Sequence, residues 1–355
     1  MKGTVAFLPL DMAFFDGTVA PLLSERKIDP EPFVAEAARI RQIHWQVRRY
    51  ARALETILAA ATPPARSRGA GLWGDVKAYL EQFDWRPDEL AKRALEALEP
   101  DLHLRGRPFF VAEISAAKVA ATVDRYLGAG SPRAAEAIAR EQIGRLDAEL
   151  ASRLVPEDGQ DLHSDLLYRS DLLAAMTRLR DLASAARADR SWSEEEVEDA
   201  PARDVLRDEL PWRAVNLAAR VAPFWIARDV DGLETVCRVA QVLAPDCLVP
   251  AWRLFAAACE EFPDLKTALH LELRRERDVG AFVAPDDVPG LIDFLNLHGS
   301  RIIQAATRQG EGAACTTLLR KVRECATYAK AHGFGYLEAS GILPPGEGED
   351  EAASR

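Results

Sequence analysis

The chain has 355 residues, 48% of them hydrophobic and 28% charged, which is enough apolar material for one large core or two ordinary ones and argues against wholesale disorder. Its formal net charge of −11 opposes non-specific binding to DNA, RNA or anionic lipid, because each phosphate contact works against the protein's own field. No apolar run reaches the ~18 residues that a membrane-spanning helix needs, and Asp11 and Asp16 interrupt the opening residues before they can read as a secretory leader.

In chain order, Val5–Leu8 reads as a short strand. A long amphipathic helix follows, with Asp29 at its N-cap and Pro30 at its first position. Phe33, Ala37, Ile40, Val47, Ala51, Leu54 and Leu58 recur at steps of three and four and make its apolar stripe, and Pro63-Pro64 ends it. Two further helices are expected around Trp73–Phe83 and from Pro87 to Leu98. The segment 107–114 reads as a short strand; Ser115 then caps a helix closed near Gly128, and Ser131-Pro132 starts the next. Residues 156–161 (PEDGQD) read as a linker, followed by a helix from about Asp165 to Ala188. The acidic segment 191–199 (SWSEEEVED) reads as a solvated loop or a helix start, and the capping-box spacing of Ser193 and Glu196 favours the helix start. Helices punctuated by Pro211, Pro223, Pro245, Pro250 and Pro263 come next, then a second short strand over 279–284, and two or three closing helices. The tail from Pro344 is polar and acidic and reads as disordered.

An internal duplication is suggested by spaced matches. Leu54-Glu55-Thr56-Ile57 aligns with Leu233-Glu234-Thr235-Val236, and at the same offset Trp73, Glu81 and Phe83 meet Trp252, Glu260 and Phe262. Phe110-Val111-Ala112 then aligns with Phe282-Val283-Ala284, and 123–131 resembles 292–300 up to a shared Gly-Ser break. The expected fold is therefore mainly α: a multi-helix protein with a few short strands and two related lobes. The lobes span 1–155, with a strand near 107–114, and 211–343, with a strand near 279–284. A linker and connecting helix occupy 156–210, and 344–355 form an acidic tail.

Motifs that carry chemistry are scarce. Gly69-Ala70-Gly71-Leu72-Trp73-Gly74 fits GxGxxG, but TPPARSR precedes it where a strand is needed to aim a helix N-terminus at a pyrophosphate, so it reads as a loop. HExxH, ExxH and GxSxG are all absent. The densest ligand-type cluster is Asp161, His163 and Asp165, weak metal candidates only, since on a helix residues two apart diverge. His44 lies on the apolar stripe of the long helix and reads as a core histidine. The five cysteines, Cys237, Cys247, Cys259, Cys315 and Cys325, include no CxxC and read as reduced thiols of a cytoplasmic protein. Abundant alanine, with arginine as the main base, suggests a GC-rich bacterial coding bias.

These readings point to a non-enzymatic protein-binding or regulatory protein of immunity, adaptor or regulator type, acting through a helix face or an inter-lobe groove. The alternative is an enzyme or small-molecule-binding protein with its site in that groove. The expected partner is another protein, with no nucleic acid, membrane, metal or cofactor, and a small molecule remains open.

Overall fold

The computed structural model describes residues 5–23, 28–61, 109–113, 115–146, 148–154, 165–194, 197–222, 227–229 and 231–342. The tryptophan helix, the helix from Pro87, the Gly69–Gly74 loop and the acidic tail lie outside these residues.

The chain is mostly helical, but a sheet organises it. Five strands, β1 (Val5–Leu10), β4 (Ala227–Asp229), β5 (Val249–Pro250), β6 (Val279–Val283) and β7 (Gly335–Ser340), pair antiparallel in the order β4-β1-β7-β6-β5. A separate hairpin joins β2 (Ser191–Glu194) to β3 (Val197–Pro201). The N-terminal strand β1 is thus an interior strand, matched to β7 from Val5 opposite Ser340 to Leu10 opposite Gly335.

Every residue of β1, β6 and β7 is buried. This fits a sheet covered on both sides, where strands read as continuous apolar runs. Side chains alternate between the two covered faces. Val5, Phe7, Ala281, Val283 and Tyr336 join one core, while Ala6, Leu8, Leu10, Leu337 and Ala339 join the other. In β6 the register shifts between Val279 and Phe282, so these two residues, three apart, both face the second core.

The first core is roofed by α4 (Ala116–Leu127), α5 (Pro132–Leu146), α9 (Leu233–Val239), α12 (Val288–Arg308) and α13 (Gly312–His332). The second is roofed by α1 (Met12–Phe14) and α2 (Ala20–Leu23) with the π turn Phe15–Val19 between them, and by α7 (Asp165–Arg187), α8 (Ala202–Val221), α10 (Ala256–Glu261) and α11 (Leu265–Ala268). The short α6 (Ala148–Arg153) follows α5. Helix α3 (Glu31–Ala61) belongs to both layers. Phe33, Val34, Ala37 and Ala38 pack in the second core, and Ile43, Val47 and Tyr50 in the first. At 1.5 Å per residue it is ~46 Å long, enough to pass from one layer to the other. Asp29 starts it as its stripe predicts, its Oδ1 accepting the Glu31 N–H at 3.1 Å.

Several expectations are corrected. Residues 109–113 form no strand. Phe109, Phe110 and Val111 are buried, but the polar backbone is met by side chains instead of a ladder: the Tyr126 hydroxyl donates to the Phe110 carbonyl at 3.0 Å, and the Ala112 N–H donates to Gln142 Oε1 at 3.0 Å. The acidic segment after α7 is a hairpin, not a helix start, with Trp192 opposite Ala200. Its entry is turned by Asp189 at φ 52°. Pro211 does not end a helix; α8 runs through it with Leu210, Pro211 and Ala214 buried. The Gly-Ser break holds at Gly128–Ser131, where the Ser131 hydroxyl accepts the Ala134 N–H at 3.2 Å, but α12 continues unbroken through His298, Gly299 and Ser300. The matched segments therefore differ in local structure, and two related lobes are not shown.

Phe7 is fully buried at the centre of the sheet and stacks on Tyr336 at 6.3 Å between ring centroids. Phe7→Ala is expected to cost ~3–5 kcal/mol in urea unfolding. Leu297→Ser, at a side chain 76% exposed on α12, should shift stability by no more than ~0.5 kcal/mol.

Candidate functional site

Where α3 passes between the layers, the roofs of the sheet do not meet, and a groove of about 380 Å³ remains at the C-terminal end of β1. Leu10, Phe14, Phe33, Ile40, Val221 and Phe334 make it mostly apolar, and Asp11, Thr18, Glu36 and Tyr328 bring the polar atoms. One wall is set by the π turn. Asp11 Oδ1 accepts the Phe14 N–H at 3.1 Å and starts the helix. Phe15 and Val19 are then buried inward, Phe15 edge-on to Phe255 at 5.6 Å, while Phe14 and Thr18 face the groove. Such π insertions are frequent at functional sites because they re-aim one turn of side chains. The opposite wall is α3, where Phe33 stacks on Phe14 at 5.4 Å.

Glu36 is gripped by Arg39 through two bonds of 2.8 and 2.7 Å, and the same guanidinium donates to the Leu127 carbonyl at 2.7 Å, tying α3 to the end of α4. Beside the groove, Asp124 Oδ1 accepts the Tyr328 hydroxyl at 3.1 Å and lies 3.1 Å from His332 Nε2. The His332 ring stacks on Tyr328 at 4.0 Å, and its Nδ1 lies 2.9 Å from the Tyr328 carbonyl oxygen. Burial and the Asp124 carboxylate push the Tyr328 phenol well above its ordinary pKa, so it stays a neutral donor at physiological pH. The cluster holds α13 to α4. Its hydroxyl proton is already given to Asp124, which suits recognition better than proton transfer.

A second polar cluster is sealed inside the first core. Glu338, on β7, is 1% exposed. Its Oε1 accepts the Tyr336 hydroxyl at 2.7 Å and the Leu233 N–H at 3.1 Å, which fastens the start of α9 to the sheet. Gly232 permits the approach, since a Cβ there would collide with Glu338 Oε2. Nearby, Lys321 of α13 pairs with Asp229 of β4 at 3.3 Å. Desolvation lifts the Glu338 carboxyl to about 7, against the opposing pull of its two hydrogen bonds. Burial likewise drives the Cys237 thiol to about 12, and lifts the fully buried Cys325 well above the ordinary thiol range. Four of the five thiols are buried and Cys247 is half-buried; none is in a disulfide. A nucleophilic thiolate is disfavoured at all of them.

Of the metal candidates, Asp161 and His163 lie outside the described residues, and Asp165 is the first residue of α7. Among the described residues no group of three or more His, Cys, Asp or Glu could hold a metal ion, and no helix is long and apolar enough to cross a membrane. His44 is 3% exposed and sits edge-on to Phe109 at 5.1 Å, as its place on the stripe implies. Sequence reasoning missed Asp11, Glu36, Asp124, Tyr328 and Glu338. Only Glu338 carried a usable signal, a carboxylate within an alternating apolar segment (GYLEAS) that would have to be buried. No family model, no curated protein and no solved structure matches this chain.

Two outcomes follow from the buried cluster. In the unfolded chain the Glu338 carboxyl titrates near 4.5, and in the fold near 7. Below pH 4.5 the proton is bound in both states. As pH rises from 4.5 to 7 the unfolded state ionises first, so this group's stability contribution is lost over that window, by about 3 kcal/mol. Glu338→Gln keeps an acceptor for Tyr336 and Leu233 and should remove this slope. Denaturant midpoints of both proteins at pH 5 and pH 8 check it, and parallel profiles would contradict the assignment. Under native conditions iodoacetamide should modify Cys247 alone, and slowly, with the other four thiols reacting only after unfolding, as peptide mass spectrometry reads directly.

Proposed function

We propose that this chain is a non-enzymatic binding protein that receives a partner protein in the groove between β1, α3 and the end of α13. The occupant is an amphipathic segment that inserts a bulky apolar side chain next to a lysine or arginine. The observation that carries this reading is the groove itself: mostly apolar, about 380 Å³, with Asp11 and Glu36 in its wall and Asp124 beside it. Its volume is at the lower end of ligand-binding cavities, which suits one or two side chains better than a large cofactor. Glu36 is already paired with Arg39, so the preference for a basic partner rests on the net charge of −11 and on Asp11. The unpaired thiols support a reducing, cytoplasmic setting.

A small-molecule ligand is the second reading. It is favoured by Tyr328, which lines the groove while Asp124 and His332 orient it, a pattern of few polar groups around an apolar cavity.

Fluorescence anisotropy with two labelled twelve-residue peptides tests the proposal. One places leucines on one helical face and lysines on the other; the second carries glutamates in place of the lysines. The basic peptide should bind and the acidic one should not. Thr18→Arg, which fills the groove from its partly exposed wall, should weaken binding at least tenfold. Asp181→Asn, with the same charge change on the outer face of α7, should leave binding unchanged. Equal losses in both variants, or binding of both peptides, would refute the groove as the site. Native mass spectrometry of protein from its own host would support the second reading if a bound mass under ~1 kDa is lost in Thr18→Arg.

A further inference from the structure

A different surface, on the outer side of α12, carries the opposite charge. Here a groove of about 360 Å³ runs between α12 and the end of α9. Arg301 and Arg308 line it with Gln304, Gln309 and Gln241, over a floor that includes Ala240 and Ala305, and none of its lining residues is acidic. We infer that this groove is a binding site for a small polar molecule bearing two anionic groups, phosphate or carboxylate, about 10 Å apart. It is independent of the apolar groove at β1.

The spacing follows from the helix. Arg301 and Arg308 are seven residues apart, two turns on one face, and so separated by ~10 Å along the axis. Among the described residues neither forms an ion pair. Several arginines elsewhere are matched to carboxylates, as in Arg39–Glu36, Arg125–Glu141, Arg145–Glu113 and Arg207–Asp204, while others among the described residues, such as Arg133 and Arg220, share the unmatched state but line no groove with a second arginine. In a chain with 56 acidic and 45 basic residues, two exposed guanidiniums in an acid-free groove make a local positive field. Arg308 alone is explained by its place in the last turn of α12, where a cation meets the negative helix end. Arg301 is two turns too early for that.

The backbone at the end of α9 is closed by its own hydrogen bonds and leaves the groove's polar side chains to meet a ligand. The C-terminal carbonyls of α9 would repel an anion, but they are covered: Ala240 N–H donates to Val236 O at 3.0 Å, Gln241 N–H to Arg238 O at 3.1 Å, and Val242 N–H to Cys237 O at 2.9 Å. The Gln309 side-chain amide donates to Val239 O at 3.4 Å. Gln241 holds a left-handed φ of 54°, the conformation that closes a helix end when the next N–H, here that of Val242, reaches back to the Cys237 carbonyl. Gln241 and Gln304 can then bond the polar middle of the molecule while the arginines fork onto its two ends.

Isothermal titration with a hexose 1,6-bisphosphate, against the matching 6-monophosphate and inorganic phosphate, tests this in 50 mM salt. The bisphosphate should bind at least tenfold more tightly than either comparison. Arg301→Gln and Arg308→Gln should each weaken it about tenfold, and Arg133→Gln, an exposed arginine on α5, should not. All three positions are on the surface, so unchanged circular dichroism and urea midpoints separate lost binding from lost folding. No measurable bisphosphate affinity, equal affinity for the monophosphate, or the same affinity in the Arg301→Gln/Arg308→Gln double variant overturns the assignment. Binding of a glutamate-rich peptide where the bisphosphate fails overturns it too, in favour of a protein ligand.

Discussion

Everything in this molecule depends on the alternation of β1. Val5 and Phe7 point into one core and Ala6, Leu8 and Leu10 into the other, and the same strand holds β4 on one side and β7 on the other. A slip of one residue would exchange the two sets and put Phe7 where an alanine now fits. Because both sides are roofed by helices, neither core can relax toward solvent, and the register is fixed from two directions at once. The positions of α9, held through Glu338, and of α13, held through Lys321 and Asp229, follow from that register.

Helix α3 is the other constraint. A single straight rod cannot lie flush on both layers, so it touches one with Phe33 and Ala37 and the other with Val47 and Tyr50. Ile40 sits at the crossing and lines the β1 groove. The groove is thus a geometric remainder of joining two roofs by one helix. Its walls come from the two roofs, the π turn and α3 on one side and α13 on the other, linked across the gap by the Arg39 bond to Leu127 and braced by the Tyr328–Asp124–His332 cluster.

The helices were legible wherever a stripe and a cap coincided, as in α3, α4 and α5, since both signals are local. The strand at 279–283 was legible from its unbroken apolar run. The sheet as a whole was not. Its centre, β7, is six residues long and follows a helix closely, and its edges β4 and β5 have three and two residues, too short to show a period. The segment 109–113 has a strand's composition but finds its hydrogen bonds on Tyr126 and Gln142, which no local reading can foresee. The hairpin at 191–201 shows a capping pattern outvoted by tertiary pairing. The candidate sites were invisible for a similar reason: Asp11, Glu36, Asp124 and Tyr328 are far apart in the chain and meet only through the crossing of α3, and Arg301 and Arg308 look like any solvated pair until the end of α9 closes a groove around them.

The pairing of β1 with β7 also bears on how the protein is made. Val5 is matched to Ser340, so the central partner of the first strand is among the last of the described segments to be translated. At bacterial-like elongation rates of ~5–20 residues per second, β1 waits roughly 20–60 s for it. Throughout that interval β1 lacks its six-residue partner, although β4 and the second-core helices that cover one of its faces are translated earlier. Ribosome-associated chaperones that shield extended hydrophobic segments are the natural guardians of such an interval, and yield in the cell should track their abundance more closely than it tracks the stability of the finished fold.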